Sequence, residues 1–422
     1  MTNNTRLFKK SLLAVTITTI TLASSQAMAA GFQLNAQSAT GIGRAFAGDA
    51  VIADNASVMA RNPAAMALFD ETSLSLGFES ITSMIEVKDA TYTGFMGGSS
   101  HNADYDDAGD TSIAPNIHLI VPINEKFAVG VNAYSNFGTK TEFSDDYVGG
   151  EYGGLTDVKS VNFGLAGSYR LNKQWSFGAG LDLIYGKGEL KRTMSSQVGT
   201  PPLPTLPQAG QTILDAEADG WALGFNVGTV FELNENNRFG LAYHYSPELE
   251  AKGDISYLGT EYKDDTLYMP LPDLLEFSGY HKIEDTKFAV HYSVQWIGWS
   301  SFDKLEAKDA GVLNDYEWQD GWHYSIGGTY YLNTDWTLRA GYMYDTSAQD
   351  EITSISVPDS DRQWFSAGFT YHINEKSNVD FGFTYLMGDD VKVNESTSVV
   401  SSISATTHAD AILMGLQYSR SF

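Results

Sequence analysis

The chain ends in Ala411-Ile412-Leu413-Met414-Gly415-Leu416-Gln417-Tyr418-Ser419-Arg420-Ser421-Phe422, and this stretch decides the fold. Large side chains at Ile412, Met414, Leu416 and Tyr418 share one parity with Phe422, while the other parity becomes small or polar after its first leucine. Successive side chains of a β-strand point to opposite faces, so the pattern predicts a strand between an apolar medium and a polar interior. Because many other segments repeat the alternation, we interpret the chain as an all-β, antiparallel transmembrane β-barrel.

The first residues predict export from the cytoplasm. Basic Arg6, Lys9 and Lys10 precede a short apolar run, and Ala27-Met28-Ala29 is typical of a signal-peptide cleavage site. We therefore predict a signal peptide over residues 1–29. Its apolar run is shorter than the ~20 residues that a transmembrane helix needs. A secreted chain with many alternating segments predicts the outer membrane of a Gram-negative bacterium, where closed barrels satisfy every backbone group.

Composition excludes several classes of protein. The absence of cysteine excludes a disulfide framework, a thiolate metal site and a thiol nucleophile. The 52 acidic and 26 basic residues give a net charge of -26, which argues against nucleic acid as a partner. The sequence shows no catalytic constellation and no metal-ligand spacing, so we predict no enzyme activity, no metal and no cofactor.

Turns and loops set the number of strands. Short turns that contain asparagine alternate with long, acidic, glycine-rich loops, and we attribute the asparagines to a left-handed backbone at the turns. The turns are Asn124 to Lys126, Asn172 to Gln174, Asn234 to Asn237, Asn333 to Asp335 and Asn374 to Lys376. The long loops are Lys88 to Asp110, Thr139 to Asp157, Met194 to Gly220, Glu248 to Pro272, Ser300 to Gln319, Thr346 to Arg362 and Gly388 to Ala409. This layout predicts about fourteen barrel strands within residues 71–422.

Residues 30–70 lack a sustained strand pattern and are rich in alanine and glycine. Apolar side chains such as Phe32, Phe46 and Met66 would be costly to leave in water. A barrel of this size, if empty, would hold an aqueous channel. We therefore predict that the segment forms a hatch, a plug inside the lumen, rather than a flexible periplasmic tail.

The chain resembles the FadL-type outer-membrane long-chain fatty-acid transporters. The Asn62-Pro63-Ala64 motif of the hatch is the most specific match. The other matching stretches are Ala30 to Asn35, Gly43-Arg44-Ala45, Ala53-Asp54, Tyr169 to Asn172, Trp175 to Gly178, Pro358-Asp359 and Asp361-Arg362. The resemblance implies a fourteen-stranded barrel with an N-terminal hatch. It also implies ligand capture at a groove between the third and fourth long loops, an interior pocket, and lateral release beside a kink in the third strand.

The resemblance implies site residues as well. It places the strand kink at Asn136, Phe137 and Gly138, and it places a basic residue for the ligand carboxylate at Arg192. Strand parity independently turns Arg192 toward the lumen. A salt bridge at the base of a loop, or a position at the lipopolysaccharide rim, is the alternative for this arginine. A second basic group of the family would fall near Asn314, where this sequence has none, and the departure leaves neutral hydrophobic compounds open as ligands.

Further ligand contacts are predicted in the hatch and in one apolar loop. Phe32 is expected to pack against the ligand tail, and Leu203 and Leu206 belong to a proline-rich loop that we interpret as a ligand-collecting lid rather than as simple loop packing. The predicted partners are long-chain fatty acids or other hydrophobic small molecules, lipopolysaccharide and outer-membrane lipid, and, through Phe422, the barrel-assembly machinery. A general porin and an outer-membrane lipid hydrolase are the alternative functions.

Overall fold

The computed structural model describes residues 31–200, 206–397 and 401–422. The predicted signal peptide and Leu203 lie outside these ranges. Within them, fourteen antiparallel strands form a closed barrel, because the first strand, Ser73–Thr93, pairs with the last, Ser401–Ser421. The predicted fold class and number of barrel strands are confirmed. No helix in the described part of the chain is long and apolar enough to cross a bilayer.

The barrel strands are β1 (Ser73–Thr93), β2 (Thr111–Pro122), β3 (Phe127–Tyr134), β4 (Leu155–Arg170), β5 (Trp175–Thr193), β6 (Thr212–Asn234), β7 (Asn237–Tyr245), β8 (Leu274–Lys282), β9 (Phe288–Ile297), β10 (Gly321–Tyr331), β11 (Trp336–Asp345), β12 (Arg362–Asn374), β13 (Ser377–Gly388) and β14 (Ser401–Ser421). Each strand pairs with its neighbours in chain order. This up-and-down order is the simplest way to close a sheet without a free edge.

The alternating side chains separate the two faces of the wall as the sequence predicts. On β14, Met414 and Leu416 are exposed on the outer surface, whereas Leu413 and Gln417 are buried inside. The same parity repeats around the barrel, with large apolar side chains outside and small or polar ones inside. The outer surface therefore presents an apolar band to lipid.

The asparagine turns form for a different reason from the one predicted. No asparagine in the described residues has a positive φ, so the expectation of a left-handed backbone is wrong. Instead, the Asn124 side-chain oxygen accepts hydrogen bonds from the backbone N–H groups of Lys126 at 2.9 Å and Phe127 at 3.1 Å. Asn172 makes the same two contacts with Gln174 and Trp175. Each asparagine thus replaces a backbone acceptor and closes the turn by its side chain.

In the described part of the chain, seven shorter strands lie outside the fourteen strands of the barrel wall. They are Ser100–Asn102, Gly138–Glu142, Leu249–Tyr257, Thr260–Met269, Lys304–Ala307, Gly311–Asp315 and Val391–Thr397. Several extend the sheet beyond the barrel on the side that carries the long loops. Leu249–Tyr257 pairs with the first residues of β6 and with Thr260–Met269, which in turn pairs with Lys304–Ala307. Two of the predicted loops therefore contain regular hairpins. Two 3₁₀ turns, Phe95–Gly97 and Trp299–Ser301, also lie in loops.

Residues 31–70 fill the barrel lumen instead of forming a free tail. This segment contains one short α-helix, Ala39–Ile42, and two 3₁₀ helices, Ala56–Ala60 and Pro63–Leu68, and nearly all of it is buried. The α-helix packs against β12 to β14, and Pro63–Leu68 packs against β4 to β6. Wall side chains accept hydrogen bonds from backbone N–H groups of the segment: Gln417 from Ala39, Ser293 from Gly48 and Ser278 from Ala50.

Candidate functional site

The wall is interrupted in its third strand. β3 pairs with β2 up to the Ile117–Ala133 pair and ends at Tyr134, and the strand Gly138–Glu142 then pairs only with β4 among the described strands. Residues 111–116 of β2 therefore lack a strand on this side. The predicted kink residues Asn136, Phe137 and Gly138 lie at this interruption, which leaves a gap between β2 and the continuation of the third strand.

The start of the hatch occupies the inner side of this interruption. The Asn136 carbonyl accepts a hydrogen bond from the Leu34 N–H at 2.9 Å, and the Gly138 N–H donates to the Phe32 carbonyl at 2.7 Å. Gln33 forms an isolated antiparallel bridge with Phe137. The hatch thus supplies a short strand that satisfies backbone groups freed by the break.

An apolar pocket lies beside the interruption, on the side of the long loops. Its lining comprises Phe32, Thr139, Thr156, Val158, Gly188, Leu190, Leu267, Met269, Phe302, Leu305, Tyr316, Trp318 and Val357. The Phe32 ring lies 5.3 Å from the Phe302 ring and 5.6 Å from the Trp318 ring, centroid to centroid. The free volume is about 20 Å³, room for about one water molecule. An alkyl chain can enter only if Phe32 or a loop moves.

Arg192 lies on the inward face of β5, next to the pocket. One guanidinium nitrogen, Nη1, donates to the carbonyl oxygens of Leu155 at 2.5 Å and Lys191 at 2.8 Å, and Nη2 donates to the Thr156 hydroxyl at 2.7 Å. Among the described residues, no carboxylate lies within 4.0 Å of this buried cation, although Glu395 is close enough to act on it electrostatically. An arginine side chain stays charged at neutral pH. A buried cation held only by neutral groups favours an anionic ligand.

The Asn62-Pro63-Ala64 motif anchors the hatch to the wall. The Asn62 amide nitrogen donates to the Ala50 carbonyl at 2.8 Å and to the Thr229 carbonyl of β6 at 3.1 Å. Its side-chain oxygen accepts the Ala64 N–H at 3.0 Å and caps the 3₁₀ helix that Pro63 begins. One side chain therefore links two parts of the hatch, caps its helix and binds the barrel.

A family model described as outer membrane protein transport protein (OMPP1/FadL/TodX) matches residues 20–422. The chain belongs to this family. It is 36% identical over 435 residues to the long-chain fatty acid transport protein of Escherichia coli (strain K12), covering 92% of this chain and 94% of that protein. It is 35% identical over 460 residues to outer membrane protein P1 of Haemophilus influenzae, covering 98% and 99%. This OMPP1/FadL/TodX protein is therefore a barrel of the bacterial outer membrane.

Solved structures share the fold of this OMPP1/FadL/TodX protein. A FadL homologue from Pseudomonas aeruginosa aligns with a TM-score of 0.83 at 21% identity, over 93% of this chain and 100% of that one. The toluene transporter TodX of Pseudomonas putida aligns with a TM-score of 0.64 at 20% identity, over 93% and 99%. At these identities both likenesses show the fold alone, and the ligand of this chain has to be argued from its own residues.

The structure of this OMPP1/FadL/TodX protein brings together some of the predicted site residues and not others. Phe32 lines the pocket, Phe137 packs in the same apolar cluster, and Arg192 borders it. Leu206 is half-buried but does not line the pocket, and Leu203 lies outside the described residues. The described pocket lining contains no lysine or arginine, and Asn314 is exposed on a hairpin nearby. Of the basic groups considered from the sequence for the ligand carboxylate, Arg192 is thus the one that lies next to this pocket.

No sequence pattern predicted the aromatic residues around the pocket. Phe302, Tyr316 and Trp318 line the pocket and lie in one predicted acidic loop. Trp299 directly precedes that loop, and the four rings pack on one another and on Phe32. Phe32 and Trp299 are the closest of the ring pairs that Phe32 makes, with 4.5 Å between centroids. Four aromatic residues within twenty positions of a loop could have indicated a ligand-binding or packing role, since loops exposed to water seldom carry so many.

Proposed function

We propose that this protein is an outer-membrane channel for the uptake of hydrophobic compounds, with long-chain fatty acids as its main ligands. Relatives over 35% identical across nearly the whole chain are long-chain fatty acid transport proteins. The observation that carries the proposal is the buried Arg192 beside a pocket of almost entirely apolar side chains. An apolar cavity with one cation at its rim matches a long alkyl chain with one carboxylate.

The proposed route begins at the long loops and ends at the interrupted strand. The ligand enters from the extracellular side, where such barrels carry their longer loops, and its carboxylate takes up free N–H groups of Arg192. The tail replaces Phe32 against the ring of Trp318. Because the backbone of Phe32 is bonded to Gly138 at the break, displacement of this side chain disturbs the gap as well. The ligand then leaves sideways into the lipid without crossing water.

Release is the harder step of this route. Burying an alkyl chain stabilises the bound state by about 0.8 kcal/mol per CH₂ group. The same free energy opposes departure unless the ligand passes directly into another apolar phase. The strand break beside Asn136 lies in the barrel wall, so release sideways through it into the lipid would avoid the cost of returning the chain to water. The proposed cycle needs no ATP, metal or catalysis.

The proposal extends to the processing and assembly of the chain. We assign residues 1–29 to a signal peptide, 30–70 to the hatch and 71–422 to the barrel. Phe422 is exposed, and its N–H donates to the Thr72 carbonyl at 3.0 Å, so the terminal aromatic ring is presented at the periplasmic rim. This ring is the proposed contact for the barrel-assembly machinery, and the apolar outer band is the proposed contact for lipopolysaccharide and membrane lipid.

Uptake by cells that lack their own channel tests the proposed function. Cells expressing this protein should accumulate labelled oleate faster than cells with an empty vector, while their permeability to a small sugar stays unchanged. Sugar permeation without oleate uptake would identify a general porin instead. Neutral hydrocarbons are the second candidate ligands, because the described pocket lining has no lysine or arginine of its own. Equal uptake of oleate and a C18 alkane would favour neutral hydrocarbons as the ligands.

A further inference from the structure

The two strands that border the wall gap meet again above it. Below the gap, Ile117 of β2 faces Ala133 of β3. Above it, the Glu142 N–H donates to the Ala108 carbonyl at 3.0 Å, and the Lys140 ammonium lies 2.7 Å from Asp110 Oδ2. These upper contacts fall in the register that the lower pair sets. The gap is therefore a window with two closed ends rather than an open slit.

The upper contacts join two separately anchored parts of the wall. Asp110 is held to β1, because its carbonyl accepts the Ser83 N–H at 3.0 Å. Lys140 belongs to the strand that pairs with β4, where it faces Asp157. The lysine also lies 2.9 Å from Glu142 Oε2, so its charge is shared between two carboxylates. The side chain of Lys140 is 18% exposed and that of Asp110 is 40% exposed.

We propose that Lys140 and Asp110 form a clasp that fixes the upper end of the window and thereby limits the cross-section of ligands that leave through it. The inference rests on the proposed lateral release. Between the clasp and the Ile117–Ala133 pair, six residues of β2 pair with β1 but face no strand on the side of the window, which is roughly 20 Å long. Because both ends of the window are fixed, the two strand segments that border it can move apart only slightly. A straight alkyl chain passes along such a window, whereas a fused-ring group needs the edges to part.

The clasp is weak enough that its loss should change the window without unfolding the barrel. A partly exposed ion pair and a single strand-to-strand hydrogen bond each contribute little to the stability of a folded protein. Loss of the clasp therefore leaves a barrel of fourteen strands folded but frees one end of the window. Lys140 and Asp110 act as positioning residues, since neither lines the apolar pocket.

Release of two ligands of different width tests the clasp. Purified full-length variants in lipid vesicles are loaded with oleate or with a pyrene-terminated fatty acid, and transfer to acceptor vesicles is timed. Lys140→Met should raise the pyrene-to-oleate rate ratio at least threefold and leave equilibrium binding of both ligands unchanged. The exchanged pair, Lys140→Asp with Asp110→Lys, should restore the wild-type ratio. Lys187→Met breaks a pair with Glu217 on β5 and β6, away from the window, and is the matched control.

A reversible crosslink gives an independent readout. The chain has no cysteine, so Lys140→Cys with Asp110→Cys offers one disulfide, whose oxidised form should exclude the pyrene ligand and whose reduced form should admit it. Failure of the two cysteines to crosslink would overturn the clasp. A pyrene-to-oleate rate ratio that stays at the wild-type value in Lys140→Met would also overturn it, even if both rates change together. If the wild-type protein transfers neither ligand, the proposed function fails instead. Wild-type transfer with a ratio that no variant moves rejects the clasp alone.

Discussion

Asp359 accepts a hydrogen bond from the Gly31 N–H, with 3.4 Å between Oδ2 and the nitrogen. The same oxygen accepts the Ala348 N–H at 2.6 Å, and Oδ1 pairs with Arg362 at the start of β12. A loop on the extracellular side therefore holds the first described residue of the hatch, next to Phe32. Burial raises the pKa of Asp359, while the adjacent arginine opposes that shift. The ligand pocket, this loop and the hatch are thus one connected unit.

Asp359→Asn should loosen the beginning of the hatch. Asparagine keeps the size of the side chain but removes the charge that Arg362 balances, and it weakens the hold on Gly31. We expect backbone amides of residues 31–37 to exchange hydrogen for deuterium at least tenfold faster, measured by mass spectrometry of the folded barrel. Asp361→Asn is the control, because Asp361 binds Ser347 and Tyr344 and makes no described contact with the hatch. Equal exchange in both variants would contradict a link through Asp359.

Arg192→Ala should weaken binding of oleate and spare oleyl alcohol of equal length. A hydrogen bond to a charged group contributes about 1.5–3 kcal/mol, which corresponds to a loss of affinity of roughly ten- to a hundred-fold for the acid. Isothermal titration in detergent measures both ligands. Arg192→Lys keeps the charge but lacks the planar guanidinium group, so its affinity for oleate should lie between those of the wild type and Arg192→Ala. Equal losses for acid and alcohol would reject a carboxylate role for this arginine.

The sequence predicts the barrel far better than the pocket. Alternation along β14 or β5 is a local property of each strand, so parity alone places Gln417 and Arg192 on the inner face. The contact between Phe32 and Trp299 joins residues far apart in the chain, and no local pattern tells which loop folds back over the hatch. The asparagine turns show a third case: the residue type was right, but its side-chain hydrogen bonds, not its backbone angles, explain it.

Glu395→Gln should remove a pH dependence of stability. Glu395 lies in the extracellular strand Val391–Thr397 and accepts hydrogen bonds from the Ile355 N–H at 2.8 Å and the Ser354 hydroxyl at 3.4 Å. Burial raises its pKa to about 7, although these hydrogen bonds and Arg192 oppose the shift. Because the folded state prefers the protonated form, this group contributes stability below its unfolded pKa and loses it as the pH rises through 7.

The expected size of this effect is at most about 3 kcal/mol between pH 4.5 and 8. Urea unfolding in lipid vesicles at several pH values measures it, and Glu395→Gln should give the flatter profile. Glu306→Gln is the control, because Glu306 is a partly exposed carboxylate paired with Lys304. A wild-type slope retained in Glu395→Gln would show that other groups carry the pH dependence.

Gly178→Ala should displace the hatch and open the lumen to ions. A Cβ atom on Gly178 of β5 would lie 2.3 Å from the Ala64 nitrogen and 2.4 Å from the Pro63 carbonyl carbon, closer than nonbonded atoms approach. The 3₁₀ helix that begins at Pro63 must therefore move away from the wall. In Gly167→Ala on neighbouring β4, the nearest atom to the new Cβ would be the Ala128 carbonyl oxygen at 3.9 Å, so this variant is the matched control.

Conductance across planar bilayers distinguishes these two alanine variants. Gly178→Ala should conduct several-fold more current than the wild type, because a fourteen-stranded barrel without a seated plug is wide enough for water and ions. Gly167→Ala should conduct like the wild type, and both should show the heat-dependent gel shift of a folded barrel. If Gly178→Ala folds and stays closed, the hatch tolerates displacement at Ala64, and Asn62 with its bonds to Ala50 and Thr229 would be sufficient to keep the lumen sealed.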